Sequence, residues 1–281
     1  MISHLLRLAC LFVIAVHCLP TTKADEPTPK TAPVKSLILP GESFLVEDRP
    51  AFIFWPAESL RQLPQPWIMY CPTLPRYPDV HEKWMHQQFL DAGIAVAGID
   101  VGEAYGSPTG QQQMTALYKE LTENRGFASK PCLFGRSRGG LWVSSWAIRN
   151  VEKVSAIIGI YPVFDLTTYP GLDRAAPAYQ LSADELRDQL AVHNPIALAD
   201  GLAKAKIPIH IIHGDDDQVV PLAQNSAALL ERYRLAGAEE SITLHVANGQ
   251  GHSFWPGFFH YQPIVDFAIQ HAKQGAQPEG K

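Results

Sequence analysis

The sequence has little cysteine and no excess of basic charge. Of 4 Cys in 281 residues, only Cys71 and Cys132 lie beyond the N-terminal segment. Two cysteines are too few for a disulfide framework and neither has the spacing of a metal site. We expect two buried thiols, although an exported chain could pair them. The 23 Lys and Arg residues are outnumbered by 28 Asp and Glu residues and form no cluster, which argues against a nucleic-acid binder.

Cofactor motifs are also missing. We find no P-loop, dinucleotide fingerprint, EF-hand or HExxH motif, and therefore expect no cofactor and no metal. The chain is 46% hydrophobic and 18% charged, which excludes a disordered tail, a collagen-like rod and a coiled coil. A chain of this length is expected to bury a self-supporting core.

One long apolar run occurs, at the N-terminus. Arg7 precedes the run 8–19, and a cleavage tripeptide with small residues at both ends finishes at Ala24. This pattern predicts a signal peptide over residues 1–24, although a membrane anchor or a buried helix has the same apolar run. We therefore expect an exported protein, periplasmic or secreted, without stable membrane insertion after cleavage. Residues 25–33, rich in Pro, Thr and Lys, are expected to form a flexible tether.

Short apolar runs alternate with amphipathic segments from residue 34 to residue 281. Strands are predicted at 44–46, 51–55, 67–71, 94–99, 132–134, 156–161, 208–212 and 242–246, and helices at 80–90, 111–124, 138–150, 183–192, 223–236 and 264–273. The first two strands have the pattern of a β-hairpin, and the later alternation indicates a parallel sheet covered by helices on both faces. We expect a single doubly wound α/β domain over 34–281, with a cap-like insertion at about 162–200.

A G-x-S-x-G motif stands between a predicted strand and a predicted helix. It reads Gly135-Arg136-Ser137-Arg138-Gly139, with a second glycine at Gly140. In this context the glycines permit a sharp turn that exposes the Ser137 hydroxyl at a helix N-terminus, where developing negative charge is favoured. The alternative is a glycine-rich helix cap with an incidental serine.

A base and an acid that could activate this serine follow in the required order. His252 lies in a glycine-flanked loop after the predicted strand 242–246, on the same rim of the sheet as Ser137. Among the competing histidines, His210 and His245 lie within apolar strands, His213 marks the end of its strand, and His260 and His271 are assigned to the last helix. The acid is sought among Asp215, Asp216 and Asp217, which follow the predicted strand 208–212, and Asp165 is a further candidate.

These motifs resemble those of α/β-hydrolase serine hydrolases, and most closely the catalytic domain of the prolyl oligopeptidase-like branch. The branch carries G-x-S-x-G-G, H-G-x-x-D-x-x-V-P and a late G-H motif, which stand here at 135–140, 213–221 and 251–254. The resemblance implies the α/β-hydrolase fold, with Ser137 as nucleophile, His252 as general base and Asp217 as the acid that orients it.

The oxyanion hole departs from the pattern that the resemblance implies. The backbone N–H of Arg138, the residue after the nucleophile, is one expected donor. The usual His-Gly-Gly of the second donor loop is replaced by Cys71-Pro72-Thr73-Leu74, and proline has no N–H to donate. We expect the backbone N–H of Thr73 to serve.

Four residues are candidates for the substrate pocket: Arg138, Glu103, Tyr161 and Trp255. The residue after the serine often lines the specificity pocket in this family, and a guanidinium there can pair with a substrate carboxylate. The alternative is a structural ion pair between Arg138 and Glu103, Asp100 or Asp165.

The leading hypothesis is an exported serine hydrolase that cleaves a carboxylic ester through a Ser-His-Asp triad and an acyl-enzyme intermediate. A serine peptidase of the prolyl oligopeptidase type and a non-catalytic binding protein on a hydrolase scaffold are the alternatives. The expected partner is a small-molecule or short-peptide substrate, not a nucleic acid. The sequence leaves the acyl group, the leaving group and the oligomeric state open.

Overall fold

A single sheet runs through the part of the chain that the computed structural model describes, residues 35–277. Its strands are β1 (Gly41–Val46), β2 (Arg49–Phe54), β3 (Trp67–Cys71), β4 (Ala95–Ile99), β5 (Cys132–Arg136), β6 (Ala156–Ile160), β7 (Ile209–Gly214) and β8 (Ile242–Ala247). The order across the sheet is β1-β2-β4-β3-β5-β6-β7-β8. β2 is antiparallel to β1 and β4, and the other pairings are parallel. The predicted sheet, mostly parallel with an antiparallel N-terminal hairpin, is confirmed.

The hairpin between β1 and β2 has a two-residue turn. Val46 pairs with Arg49, and the intervening Glu47 and Asp48 both have positive φ angles, 48° and 63°. Two left-handed residues in succession match the right-handed twist of the flanking strands, which fixes the register of the hairpin.

Helices cover both faces of the sheet. They are α1 (Lys83–Asp91), α2 (Pro108–Lys119), α3 (Gly139–Arg149), α4 (Leu172–Tyr179), α5 (Ala183–Asp188), α6 (Leu190–His193), α7 (Pro195–Leu198), α8 (Asp200–Lys204), α9 (Ser226–Leu235), α10 (Pro256–Phe259) and α11 (Gln262–Gly275). α1 and α11 pack on one face, while α2, α3, α8 and α9 pack on the other. Successive side chains of β3 point to opposite faces of the sheet. Trp67 and Met69 therefore pack in the core on one face, and Ile68 and Tyr70 pack in the core on the other.

Several predicted helices differ from those observed. The predicted helix 80–90 begins as a tight 3-10 turn, Val80–Glu82, whose N-terminus is held by a capping box between Asp79 and Glu82. The predicted helix 183–192 is two helices, α5 and α6, because Gln189 leaves helical geometry with a ψ of 12°. Local periodicity does not reveal such breaks, since the apolar spacing continues through them.

The segment 162–200, predicted as a cap, holds α4, α5, α6 and α7. The cap and the single-domain assignment stay predictions. The predicted signal peptide and tether lie outside the described residues. Across residues 35–277, no helix combines the length and the apolar character needed to cross a bilayer.

Candidate active site

Ser137 occupies a strained turn between β5 and α3. Its φ angle is 51°, in the left-handed region that non-glycine residues seldom adopt. The turn is held by three backbone hydrogen bonds. The Ser137 N–H donates to the Ile160 carbonyl at 2.9 Å, and the Ser137 carbonyl accepts from Gly140 and Val163, each at 2.9 Å. Since the surrounding chain fixes this conformation, the Ser137 hydroxyl is presented at the start of α3.

The glycines around Ser137 are required by close approach. A Cβ on Gly135 would lie 2.8 Å from Val143 Cγ2 and 3.0 Å from the Gly140 Cα. A Cβ on Gly139 would overlap the Cys71 carbonyl at the end of β3. The motif is thus a packing requirement between α3 and the sheet, and a plain helix cap would not need it.

Three side chains from separate loops meet at Ser137. The Ser137 Oγ lies 2.9 Å from His252 Nε2, and His252 Nδ1 lies 2.7 Å from Asp217 Oδ2. His252 is in the loop after β8 and Asp217 is in the loop after β7, so parallel strands bring all three to one edge of the sheet. This series of hydrogen bonds can transfer a proton from the Ser137 hydroxyl to the His252 imidazole while the Asp217 carboxylate orients the ring.

Asp217 is held as a carboxylate by its surroundings. Its Oδ1 accepts hydrogen bonds from the Val219 and Val220 N–H groups at 2.9 and 2.7 Å. Burial alone would raise the pKa of Asp217, but hydrogen bonds from His213 and His252 and from the Val220 N–H hold it well below its usual range. The site therefore contains a fixed negative charge beneath His252.

The competing carboxylates have other partners. Asp215 accepts from the Gly249 N–H, and Asp216 accepts from the Gln218 side chain. Asp165 binds the Asn194 side-chain amide at 2.8 Å and the Thr167 hydroxyl. Of the candidate acids, Asp217 is the one that contacts His252.

His213 is a member of the site that sequence reasoning missed, having taken it only as the end of a strand. It is fully buried, with Nε2 2.9 Å from the Val220 carbonyl and 3.3 Å from Asp217 Oδ2. Its Nδ1 lies 2.7 Å from the Ser226 hydroxyl. These contacts hold the Asp217 loop against β7 and the start of α9. The four-residue spacing from His213 to Asp217 is the sequence signal that could have revealed this role.

The two residues expected to donate N–H groups to the oxyanion, Arg138 and Thr73, differ in their position relative to the cavity. Arg138 is the N-cap of α3, so its N–H has no acceptor within the helix. Thr73 is fully buried, and its hydroxyl donates to the Tyr70 carbonyl at 3.0 Å. Pro72 lines the cavity beside Ser137, whereas Thr73 does not. The role of the Thr73 N–H stays a prediction.

A cavity of about 230 Å³ opens above Ser137. Aromatic rings and two guanidinium groups make up most of its wall. It is lined by Pro72, Tyr77, Arg136, Ser137, Arg138, Tyr161, Tyr169, Val219, His252, Ser253 and Phe254. Tyr169 comes from the segment between β6 and β7 that was predicted as a cap.

The four pocket candidates divide into two groups. Arg138 and Tyr161 line the cavity, and the Tyr161 ring lies 4.2 Å from the His252 ring. Glu103 stands behind Arg138, with 3.2 Å between carboxylate and guanidinium, so the structural ion pair left open by the sequence is present. Trp255 packs edge-on against Phe258 and does not line the cavity.

Arg136 forms a buried ionic network beneath the cavity that the sequence did not predict. Its guanidinium lies 3.0 Å from Asp79 and 2.9 Å from Glu82, and the Tyr70 hydroxyl donates to Glu82 at 2.6 Å. The same guanidinium lies 5.2 Å from the ring centroid of Phe254, two residues after His252. Arg136 thereby links the floor of the site to the loop that carries His252.

No group of three or more His, Cys, Asp or Glu side chains in residues 35–277 has the arrangement of a metal site. The two arginines of the cavity are paired with carboxylates outside its lining, Arg136 with Asp79 and Glu82 and Arg138 with Glu103.

Comparison with known proteins identifies the family. The model of the prolyl oligopeptidase family matches residues 85–274, which include all three side chains of the hydrogen-bonded chain. The chain belongs to the prolyl oligopeptidase family. Its fold is that of the α/β-hydrolases. A search of curated proteins gave no match.

Solved structures with this fold include peptidases and an esterase. Dipeptidyl peptidase 4 of Porphyromonas gingivalis is 18% identical, with a TM-score of 0.63 over 83% of this chain and 36% of that one. A puromycin-hydrolyzing peptidase of Mycobacterium tuberculosis is 18% identical, with a TM-score of 0.60 over 83% of this chain and 39% of that one. The chain thus spans little more than a third of these peptidases.

Est1E from Butyrivibrio proteoclasticus is matched over nearly its whole length. It is 17% identical, with a TM-score of 0.59 over 84% of this chain and 98% of that one. At these identities the likeness concerns the fold alone.

Proposed function

We propose that this family member hydrolyses carboxylic esters through Ser137, His252 and Asp217. The observation that carries the proposal is the continuous hydrogen-bonded chain, with 2.9 Å from Ser137 to His252 and 2.7 Å from His252 to Asp217. A serine hydroxyl is a weak nucleophile unless a neighbouring base accepts its proton, and this base is held in the required orientation.

The proposed reaction proceeds through an acyl-enzyme. Ser137 Oγ attacks the ester carbonyl while its proton moves to His252 Nε2, and Asp217 stabilises the imidazolium that forms. The carbonyl oxygen becomes an oxyanion that the Arg138 N–H, at the positive end of α3, stabilises. His252 then gives the proton to the departing alcohol. Water, deprotonated by His252, then attacks the acyl carbonyl, and the proton on His252 passes to Ser137 Oγ as the carboxylic acid is released.

The charge of the cavity wall supports an ester over an aminopeptidase substrate. A peptide with a free N-terminus carries an ammonium group, which needs a carboxylate partner at the site. The lining contains Arg136 and Arg138 and no Asp or Glu. The small cavity volume, about 230 Å³, suits an acyl group of modest size.

A paired substrate screen tests the proposal. Wild type and Ser137→Ala are assayed on 4-nitrophenyl esters and on aminoacyl 4-nitroanilides, and both are treated with a fluorophosphonate probe. We expect ester cleavage and labelling of Ser137, located by peptide mass, with both lost in Ser137→Ala. Asp215→Asn, whose carboxylate contacts Gly249 and not His252, serves as the matched control and keeps both.

Each alternative has its own result in this screen. Faster cleavage of anilides than of esters indicates a serine peptidase, the activity favoured by the match to the prolyl oligopeptidase family. Absence of labelling in folded protein indicates a non-catalytic binding protein.

We also propose that residues 1–24 direct export of the chain. The support is the basic residue, apolar run and small-residue cleavage site of the sequence. Expression of the full chain in a bacterial host, followed by intact-mass analysis of the exported fraction, is expected to yield a mature protein that begins at Asp25. Recovery of uncleaved protein from the cell interior would contradict it.

A further inference from the structure

The two arginines of the cavity differ in how completely their charges are matched. Arg136 is buried between two carboxylates, Asp79 at 3.0 Å and Glu82 at 2.9 Å. Arg138 has a single carboxylate partner, Glu103 at 3.2 Å, and the Glu103 side chain is 42% exposed. Because the Glu103 carboxylate is exposed to water, its ion pair with Arg138 is weak and open to exchange.

Arg138 and His252 have different neighbours in the wall of the cavity. His252, which protonates the leaving group in the proposed reaction, contacts Ser137, Asp217 and the Tyr161 ring. The contacts of Arg138 are instead Glu103, the Tyr169 hydroxyl at 3.5 Å and the Tyr77 ring, whose centroid lies 5.7 Å away. Arg138 therefore lines the cavity on the side of Tyr77 and Tyr169, and the proposed scheme assigns the acyl group to that side.

We propose that Arg138 selects an acyl group that carries its own carboxylate, so that the substrates are monoesters of dicarboxylic acids. This inference rests on the proposed ester hydrolysis at the same site. A guanidinium in a partly dehydrated cavity binds a carboxylate by two parallel hydrogen bonds, and no carboxylate lines the cavity to repel the substrate. The Tyr169 hydroxyl stands beside the guanidinium as a second donor.

Glu103 has a specific role in this scheme. It neutralises Arg138 while the cavity is empty and swings into water when the substrate carboxylate takes its place. Glu103 therefore competes with the substrate. Removal of this competitor strengthens binding of the anionic substrate, whereas a merely structural ion pair would suffer equally from loss of either partner.

Matched substrates measure the selectivity. The pair is mono(4-nitrophenyl) adipate and 4-nitrophenyl hexanoate, which have acyl chains of equal length and differ in the terminal carboxylate. We expect wild type to favour the adipate in kcat/KM, and Arg138→Gln to reduce this preference by about tenfold to a hundredfold, mostly through KM. Glu103→Gln is expected to lower KM for the adipate. Arg187→Gln, which breaks an exposed ion pair with Asp184 on α5, is the control and leaves the preference unchanged.

Binding without turnover separates this inference from the proposed function. Monoethyl adipate is titrated by calorimetry into Ser137→Ala and into Ser137→Ala/Arg138→Gln. Binding to the first and its loss in the second support the carboxylate site even if esters are not the substrates.

Two results overturn the inference. One is equal wild-type kcat/KM on both esters, and the other is an equal loss on both in Arg138→Gln together with unchanged binding of monoethyl adipate. In either case ester hydrolysis by Ser137 still stands. Cleavage of neither ester by wild type counts against the proposed function instead.

Discussion

Three consecutive aspartates follow β7, and their side chains have three different partners. Asp215 and Asp216 hold the turn through Gly249 and Gln218, while Asp217 reaches His252 at 2.7 Å. The difference arises because alternate residues of a tight loop point in different directions. The chemistry of the site therefore depends on one carboxylate among three identical neighbours.

Replacement of this carboxylate tests the assignment. Asp217→Asn is expected to lower kcat on an ester by about ten-thousandfold, because the amide no longer fixes the His252 tautomer or stabilises the imidazolium. Steady-state kinetics with active-site titration measure the loss. Asp216→Asn is the matched control and is expected to retain near wild-type kcat, and a comparable loss in both variants would contradict the assignment.

His86 is a buried histidine without polar partners. Its side chain is fully buried among Phe54, Tyr70, Phe89 and Phe134, and neither ring nitrogen has a hydrogen-bond partner. Burial, with a smaller contribution from the Arg136 charge, lowers the pKa of His86 to about 3. The ring is therefore neutral and acts as an aromatic core residue.

This burial predicts a pH dependence of stability. In the unfolded chain the pKa of His86 is about 6.5. Below this pH the residue is protonated in the unfolded chain and neutral in the folded protein, so the free energy of unfolding falls by about 1.4 kcal/mol per pH unit. The contribution is fully present above pH 6.5 and is lost as the pH falls toward 3. His86→Phe removes it. Urea unfolding at pH 7 and pH 5 is expected to show wild type losing about 2 kcal/mol more than the variant. Parallel losses would contradict the prediction.

At the scale of elements, the turn between β5 and α3 depends on contact with the segment after β6. A Cβ on Gly140 would lie 2.6 Å from the Val163 carbonyl and 2.7 Å from Pro162 Cβ. We expect Gly140→Ala to lower the free energy of unfolding by about 1–3 kcal/mol and to lower kcat, because Ser137 is displaced with the turn. Urea unfolding and ester kinetics measure both effects.

Gly201 provides the opposite case within a helix. It lies in α8, and a methyl group on its Cα would have no neighbouring atom within 4 Å, so alanine there fits freely. Gly201→Ala is expected to raise the free energy of unfolding by about 0.5–1 kcal/mol, since alanine loses less conformational entropy in a helix. Urea unfolding measures the change. Destabilisation by this variant would show that packing does not distinguish the two glycines.

The Arg136 network joins elements that are far apart in the sequence. It connects β5 to the turn before α1 through Asp79 and Glu82, and to the His252 loop through Phe254. Arg136→Met leaves the fully buried Glu82 without its countercharge, and we expect a loss of about 3–5 kcal/mol in the free energy of unfolding. Arg187→Met, at an exposed ion pair, is expected to change it by less than about 0.5 kcal/mol. Similar losses in the two variants would show that the Arg136 network stabilises the fold no more than an exposed ion pair does.

At the scale of the whole molecule, the two described cysteines report on global unfolding. Cys71 and Cys132 are free and buried in the two layers of the core, and burial raises the pKa of both thiols. We expect no reaction with a thiol reagent in the folded protein, because neither reagent access nor thiolate is available. Labelling of both, followed by peptide mass, is expected to rise together with urea unfolding. Fast labelling of either in native protein would contradict this.

The pattern of apolar runs predicted the parallel sheet and its hairpin because each buried strand has a continuous apolar run. It did not predict that 183–192 breaks at Gln189 or that an ionic network lies beneath Ser137. The network depends on contacts between residues distant in sequence, and the break at Gln189 leaves the apolar spacing unchanged, so local periodicity encodes neither.

The sequence by itself determined the fold class, the serine in its glycine turn, and the order of serine, aspartates and histidine along the chain, because these depend on local sterics and on strand periodicity. Tertiary structure alone decided which aspartate meets His252, that Trp255 turns away from the cavity while Phe254 lines it, and that Arg138 faces Glu103. Those outcomes depend on where loops from different strands meet in space, and that meeting is settled by packing of the whole sheet and its helices.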